Sequence, residues 1–183
     1  MPAKTGTVLF LAGFQGAIKR IVDNGDVSFE LRAAHVSDEL FLWEMLYLAL
    51  FVPPGEPPLP RSVLREPAIA RYVQGWGTRR GDRGFVALVD ASLVGAAWLR
   101  WFPASDPGYG FVDESIPELS IAVLPDHRGK GIGSLLLERL LQDVPATSLS
   151  CDPQNPAWRL YLRLGFKPLS DGRKMLRMTM PGG

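Results

Sequence analysis

Polar and apolar positions alternate over residues 27–33, Val-Ser-Phe-Glu-Leu-Arg-Ala, the period of a half-buried first strand. Before it, Leu11, Phe14, Ile18 and Ile21 or Val22 fall at helical spacing and suggest a short amphipathic helix or a tail on the domain. After it, Ser37 is a candidate helix cap, and Leu40, Trp43, Leu46, Tyr47 and Leu50 make an apolar stripe. Five prolines then fall within residues 53–60, which excludes helix and inner strand and predicts a stiff loop. A helix opens near Pro67 and stops at Gly75. Phe85–Val89 and Leu93–Trp101 read as strands joined by a tight turn at Asp90-Ala91-Ser92. Residues 103–117 are loop. Glu118–Leu124 is a buried strand, Gly129–Leu141 a helix, Ser148–Cys151 a short strand and Ala157–Leu164 a helix. A final pair of short strands turns around Arg173. Mixed strands and helices with two hairpins and one strand-helix-strand unit imply an α/β (α+β) sheet of mixed direction.

Composition narrows the function. The chain of 183 residues suits one domain, and an apolar fraction of 46% supports a sizeable core. Twenty basic residues against nineteen acidic leave a net charge of +1, which gives no global reason for nucleic-acid or membrane partners. Six arginines between residues 61 and 83 fit a solvated helix face plus a basic loop, without the aromatic interleaving of an RNA surface. The triplet Arg80-Gly81-Asp82 matches an adhesion signature and reads as chance. Cys151 is the only cysteine and His35 and His127 the only histidines, so no disulfide framework or His- or Cys-built metal site is expected. The apolar run Val8–Phe14 is far below the roughly 20 residues of a membrane span, and its flanks do not suit a signal peptide. These features lead to an expected cytoplasmic location.

Glu118–Ser134 carries the most chemistry. A strand runs into a glycine-rich turn that opens a helix. Glycines let backbone N–H groups approach an anion, the helix start adds free donors, and Arg128 and Lys130 add positive charge. The nucleotide P-loop spacing is absent. A dinucleotide Gly-x-Gly-x-x-Gly fails because Leu136 stands at the third glycine, although Asp152 lies about 20 residues on, where a ribose-binding acid would stand.

The spacing Arg-x-x-Gly-x-Gly, here Arg128, Gly131 and Gly133, resembles the coenzyme A pyrophosphate loop of the GNAT superfamily of N-acyltransferases. Leu119–Leu124 followed by Pro125-Asp126 looks like that family's fourth strand and its exit. Residues 155–166, with Ala157, Tyr161 and Leu164-Gly165-Phe166, are similar to its second motif. The resemblance spans residues 27–180, which divides the chain into a 1–26 extension and a 27–183 acyltransferase domain. It implies a central mixed, mostly antiparallel sheet with splayed central strands flanked by helices. It also implies an acetyl-CoA co-substrate, no metal, and either a monomer or the family's frequent homodimer.

By the same resemblance, backbone groups of Ile121, Ala122 and Val123 lie beside the pantetheine and thioester. Arg128, Gly129, Lys130, Gly131, Ile132, Gly133 and Ser134 hold the pyrophosphate. Asn155 contacts the pantetheine arm, although Gln154 stands where the family often has its asparagine. Tyr161 matches the tyrosine that protonates the coenzyme A sulfur, and a tyrosine simply packed between helix and sheet is the alternative. Glu118 matches a frequent general base, against a plain strand-end carboxylate. His127 reads as loop surface, and Cys151 has no histidine placed to activate it. Asp106, Asp113, Glu114 and Glu118 suggest a cationic acceptor such as a primary amine on a metabolite, drug, peptide or protein, in a region beside the proline-rich loop. Tyr109, Phe111, Trp98 and Trp101 are candidate walls. The implied function is N-acetyl transfer by direct attack in a ternary complex. The rival is a non-catalytic acyl-CoA-binding sensor on the same fold, which would need neither Tyr161 nor Glu118.

Overall fold

The computed structural model describes residues 18–21 and 28–178. Its strands are β1 Ile18–Ile21, β2 Ser28–Ala33, β3 Arg83–Val89, β4 Ser92–Arg100, β5 Glu118–Val123, β6 Ala146–Ser150, β7 Lys167–Pro168 and β8 Lys174–Met178. Its α-helices are α1 Glu39–Ala49, α2 Pro67–Ala70, α3 Ile132–Leu140 and α4 Trp158–Arg163. The strands form one sheet in the order β1-β2-β3-β4-β5-β6-β8-β7. Every neighbouring pair is antiparallel except β5 and β6, which run parallel and share the single register pair Glu118–Ser148.

Alternation along the strands divides the core between the two faces. Phe85, Ala87, Ala97 and Leu99 pack with Leu136, Leu137 and Leu140 of α3. Val86, Ala96 and Trp98 face the other way and pack with Leu42, Met45 and Leu46 of α1. Each of those α3 leucines is fully buried, which contributes about 2 kcal/mol apiece and fixes the helix that follows the glycine turn.

Several expectations change in detail. Ile18 and Ile21 lie in a strand paired with β2 rather than in a helix; the rest of that segment lies outside the described residues. The α1 stripe rotates: Leu42, Met45 and Leu46 are buried, whereas Leu40 is 86% exposed. The helix sequence is apolar nearly all round, so periodicity alone sets no unique phase, and packing on β4 and β5 decides it. Asp38, not Ser37, folds back at its start, accepting from the His35 N–H at 2.8 Å and pairing with Arg32. Helix α3 begins at Ile132 because Gly129 and Gly131 hold φ of +73° and +82°, outside the right-handed helical region. The turn between β3 and β4 has positive φ at both Asp90 and Ala91, the geometry of a tight hairpin.

Behind β4 lies a buried ion pair. Arg100 is fully buried and donates all five of its N–H groups, to both Asp82 carboxylate oxygens and to the carbonyls of Arg71, Gln74 and Gly75. Its guanidinium also lies 5.6 Å from the Trp76 ring. The pair pins the turn after α2 against the sheet, next to Glu118, since Arg100 and Glu118 are register partners. The Asp82 side chain is only 2% exposed, so the adhesion-like triplet presents no carboxylate. The neighbouring arginines are likewise occupied: Arg61 pairs with Glu44, Arg71 with Asp106, and Arg83 bonds the Gln142 carbonyl.

Candidate active site

Beyond Glu118–Ser148 the strands β5 and β6 have no further register pair. In the antiparallel ladder with β4, the Leu124 N–H bonds the Val94 carbonyl at 2.8 Å. Alternation from that bond assigns the backbone groups of Ala122 and Ser120 to β4 and turns those of Ile121 and Val123 toward the gap. The Val123 carbonyl is met there by Arg128 Nε at 3.0 Å. Of the three strand residues named for the acyl arm, Ala122 therefore has its backbone committed and contributes only a buried side chain.

A cleft of about 1130 Å³ follows this gap. One end is lined by His127, Arg128, Gly129, Gly131, Ile132, Gly133 and Ser134. Lys130 is exposed and does not line it. A Cβ on Gly129 or Gly131 would meet nothing within 4 Å, so these glycines answer to backbone conformation, and the open space leaves their N–H groups approachable. Among the described residues, the two remaining guanidinium nitrogens of Arg128 bond nothing and His127 Nδ1 is buried without a partner. His127 is thus half-buried in the cleft wall rather than loop surface. The proline-rich loop forms the opposite wall, held by the Tyr47 hydroxyl, which donates to the Leu59 carbonyl at 2.6 Å.

A second cavity of about 220 Å³ adjoins the first and shares Phe51, Ile121, Asn155 and Tyr161 with it. Tyr161 is buried, packs edge-on against Phe166 at 5.7 Å, and its hydroxyl bonds nothing among the described residues. Burial pushes its phenol well above the ordinary value, with the Cys151 thiol adding to the shift. Asn155 forms a tight turn just before α4, its Oδ1 accepting from the Ala157 N–H, while Gln154 is exposed and lines neither cavity. Cys151 has its thiol pushed up to about 11 by burial and by Asp152, which leaves no thiolate at neutral pH.

Glu118 lines the smaller cavity and is 2% exposed. Its Oε2 accepts from the Tyr72 hydroxyl at 2.8 Å and the Gly110 N–H at 2.9 Å, while Oε1 is buried without a partner among the described residues. Burial raises its carboxyl above the usual range, opposed by the Tyr72 and Gly110 donors and by Lys174 and Arg71. The Tyr72 hydroxyl in turn accepts from the Tyr109 N–H at 2.6 Å, so one phenol ties the 103–117 loop to the carboxylate. A side chain at Gly108 would collide with Glu118 Oε1, which requires glycine there. Tyr72 was not legible as a site residue, because nothing local marks a contact with Glu118 across 46 positions.

The other acids of that loop have different work. Asp106 pairs with Arg71, Glu114 accepts from the Ala104 N–H, and Asp113 accepts from Ser115. None lines either cavity, so of the four only Glu118 faces an acceptor space. Among the aromatics, Tyr109 lines the smaller cavity, whereas Trp98, Trp101 and Phe111 belong to the two cores. Among the described residues no three His, Cys, Asp or Glu side chains gather to hold a metal, and no helix is long and apolar enough to cross a membrane.

Known proteins give the fold a context. The GNAT domain of S. lividans PAT superposes with a TM-score of 0.61 at 16% identity, over 89% of this chain and 97% of that one. yncA from Salmonella typhimurium, solved with its cofactor acetyl-CoA, gives 0.57 at 21% identity over 84% and 95%. The ribosomal-protein-S18-alanine N-acetyltransferase from Escherichia coli gives 0.54 at 19% over 84% and 96%. At these identities the likeness is one of fold. No curated protein sequence matches the chain. The model of the acetyltransferase (GNAT) family matches residues 43–166, more than half of the sequence. With the glycine turn, the parted strands β5 and β6 and this match together, the chain belongs to the GNAT family of acetyltransferases.

Proposed function

We propose that this acetyltransferase takes its acetyl group from acetyl-CoA and passes it to a primary amine by direct attack within a ternary complex. One observation carries the reading: the gap between β5 and β6 joins an open glycine turn at one end to Tyr161 and Glu118 at the other. The turn's N–H groups and Arg128 suit a pyrophosphate, and the Ile121 and Val123 backbone suits an extended amide-bearing arm. The likeness of fold to an acetyl-CoA-bound acetyltransferase supports the donor.

An ammonium with a pKa near about 10 must first lose a proton, and Glu118 accepts it, directly or through a water. The neutral nitrogen then bonds to the thioester carbon. Strand N–H groups stabilise the carbonyl oxygen as it becomes anionic. The C–S bond breaks as the carbonyl re-forms, and the departing thiolate meets the Tyr161 hydroxyl. Because burial keeps that phenol protonated, it serves as a hydrogen-bond donor and final proton source for sulfur. As the amide forms, the nitrogen loses its second proton, which restores the phenol; Glu118 releases the first to solvent, and the products are the N-acetyl amine and coenzyme A thiol.

Tyr161→Phe should lower amine-dependent thiol release by about 10²-fold or more while leaving acetyl-CoA affinity nearly unchanged. An unchanged kcat would return Tyr161 to a packing role. Acetyl-CoA binding with no thiol release for any primary amine would favour the sensor instead.

A further inference from the structure

Resting on the acetyl-transfer reading above, we propose that the smaller cavity takes a primary ammonium carried on an apolar stem and rejects acceptors with a carboxylate beside the amine. Leu46, Phe51, Ile69, Tyr72, Tyr109 and Leu149 form an apolar and aromatic part of the wall, beside Ser120, Ser150 and Asn155, around about 220 Å³. Among the described residues, the charged ones lining it are Glu118 and Asp152, with no lysine or arginine. Glu118 Oε1 is packed against Gly108 with no partner among the described residues, so the charge of an ionised Glu118 is short of donors and an ammonium in the cavity offsets it.

The groups facing Glu118 make the selectivity one-sided. Tyr72, after α2, and the Gly110 N–H both bond Oε2. Arg71, also after α2, is occupied by Asp106 and the Pro107 carbonyl. Lys174 of β8 donates to the Phe111 carbonyl. Ser148 of β6 is the register partner. Neither cation is free to meet a substrate carboxylate, so a zwitterionic amino acid would bring an unpaired anion beside Glu118. Two sources share the accepted chemistry: a free monoamine, or a lysine side chain with its own four-carbon stem.

The full chain, with acetyl-CoA as donor, is assayed by thiol release against 2-phenylethylamine, phenylalanine, ethanolamine and Nα-acetyl-lysine methylamide. Acetyl-CoA affinity is measured in parallel by calorimetry. The expected kcat/KM for 2-phenylethylamine exceeds those for phenylalanine and ethanolamine by at least about tenfold each. Tyr109→Ala, at a half-exposed wall position, should raise the KM for 2-phenylethylamine about tenfold and leave acetyl-CoA affinity unchanged. Turnover of the lysine amide at or above the 2-phenylethylamine rate identifies a lysine side chain as the source, and a lower rate identifies the free monoamine. Equal or better turnover of phenylalanine or ethanolamine overturns the assignment. So does acetyl-CoA binding with none of the four amines acetylated. Absence of acetyl-CoA binding removes the transfer reading, and this inference with it.

Discussion

Asp82→Ala should lower the thermal unfolding midpoint by roughly 6–20 °C. The substitution strips the Arg100 guanidinium of its counter-charge while leaving it fully buried against three carbonyls. Breaking a buried pair from one side costs about 3–5 kcal/mol, several times the worth of a surface pair. Arg61–Glu44 is such a surface pair, with side chains 60% and 36% exposed, and Glu44→Ala should cost little by comparison. The Asp82 carboxylate also accepts from the Gly77 N–H at 2.9 Å, so its loss loosens the turn that carries Tyr72. Near-ultraviolet circular dichroism during heating reads the transition. A shift under about 2 °C would mean the pair is not the staple that its geometry implies.

Glu118→Gln should separate activity from stability. Acyl transfer should fall about 10²–10⁴-fold, because the amide cannot take the amine's proton. In the wild type, kcat/KM should rise with pH through a midpoint above the ordinary glutamate value of about 4.3, since burial raises the Glu118 carboxyl. The variant should lack that acidic limb. Tyr72→Phe removes a donor that favours the ionised form and should move the limb further upward. The sign for stability is the opposite of the usual carboxylate. A folded-state value raised above the unfolded one contributes stability that is complete below the unfolded value and lost as pH rises through the folded one. At neutral pH, Glu118→Gln should therefore melt no lower than wild type even as it loses activity. A pH–rate profile with the acidic limb intact in the variant would take the base role away from Glu118.

What the sequence made legible was what is local along the chain. The turn of Arg128, Gly131 and Gly133 lies within six residues and was legible; that Gly129 and Gly131 take positive φ and delay α3 to Ile132 was not. Tyr161 and Glu118 could be named as candidates because the family resemblance attaches each to a short motif on one element. Contacts made by folding were not legible. Tyr72 reaches Glu118 from another layer, and the Pro53–Pro60 loop becomes a cleft wall only when α1 packs on β5. The α1 stripe was misphased because apolar residues on every side of a helix carry no direction. The acidic loop looked like an acceptor surface by count of charges, yet Asp106, Asp113 and Glu114 satisfy their own neighbours. Charge composition cannot show which carboxylates are already paired.

Calorimetric titration of the full chain with acetyl-CoA, beside NADH and the Gly131→Glu variant, tests the central claim most directly. Gly131 holds φ of +82°, so a glutamate there is strained and sets a carboxylate among the N–H groups assigned to the pyrophosphate. A melting curve of the variant confirms that it is folded. The account predicts that wild type binds acetyl-CoA and not NADH, and that the folded variant loses the binding. Wild-type binding of NADH, no binding of acetyl-CoA, or full acetyl-CoA affinity in the variant would contradict it.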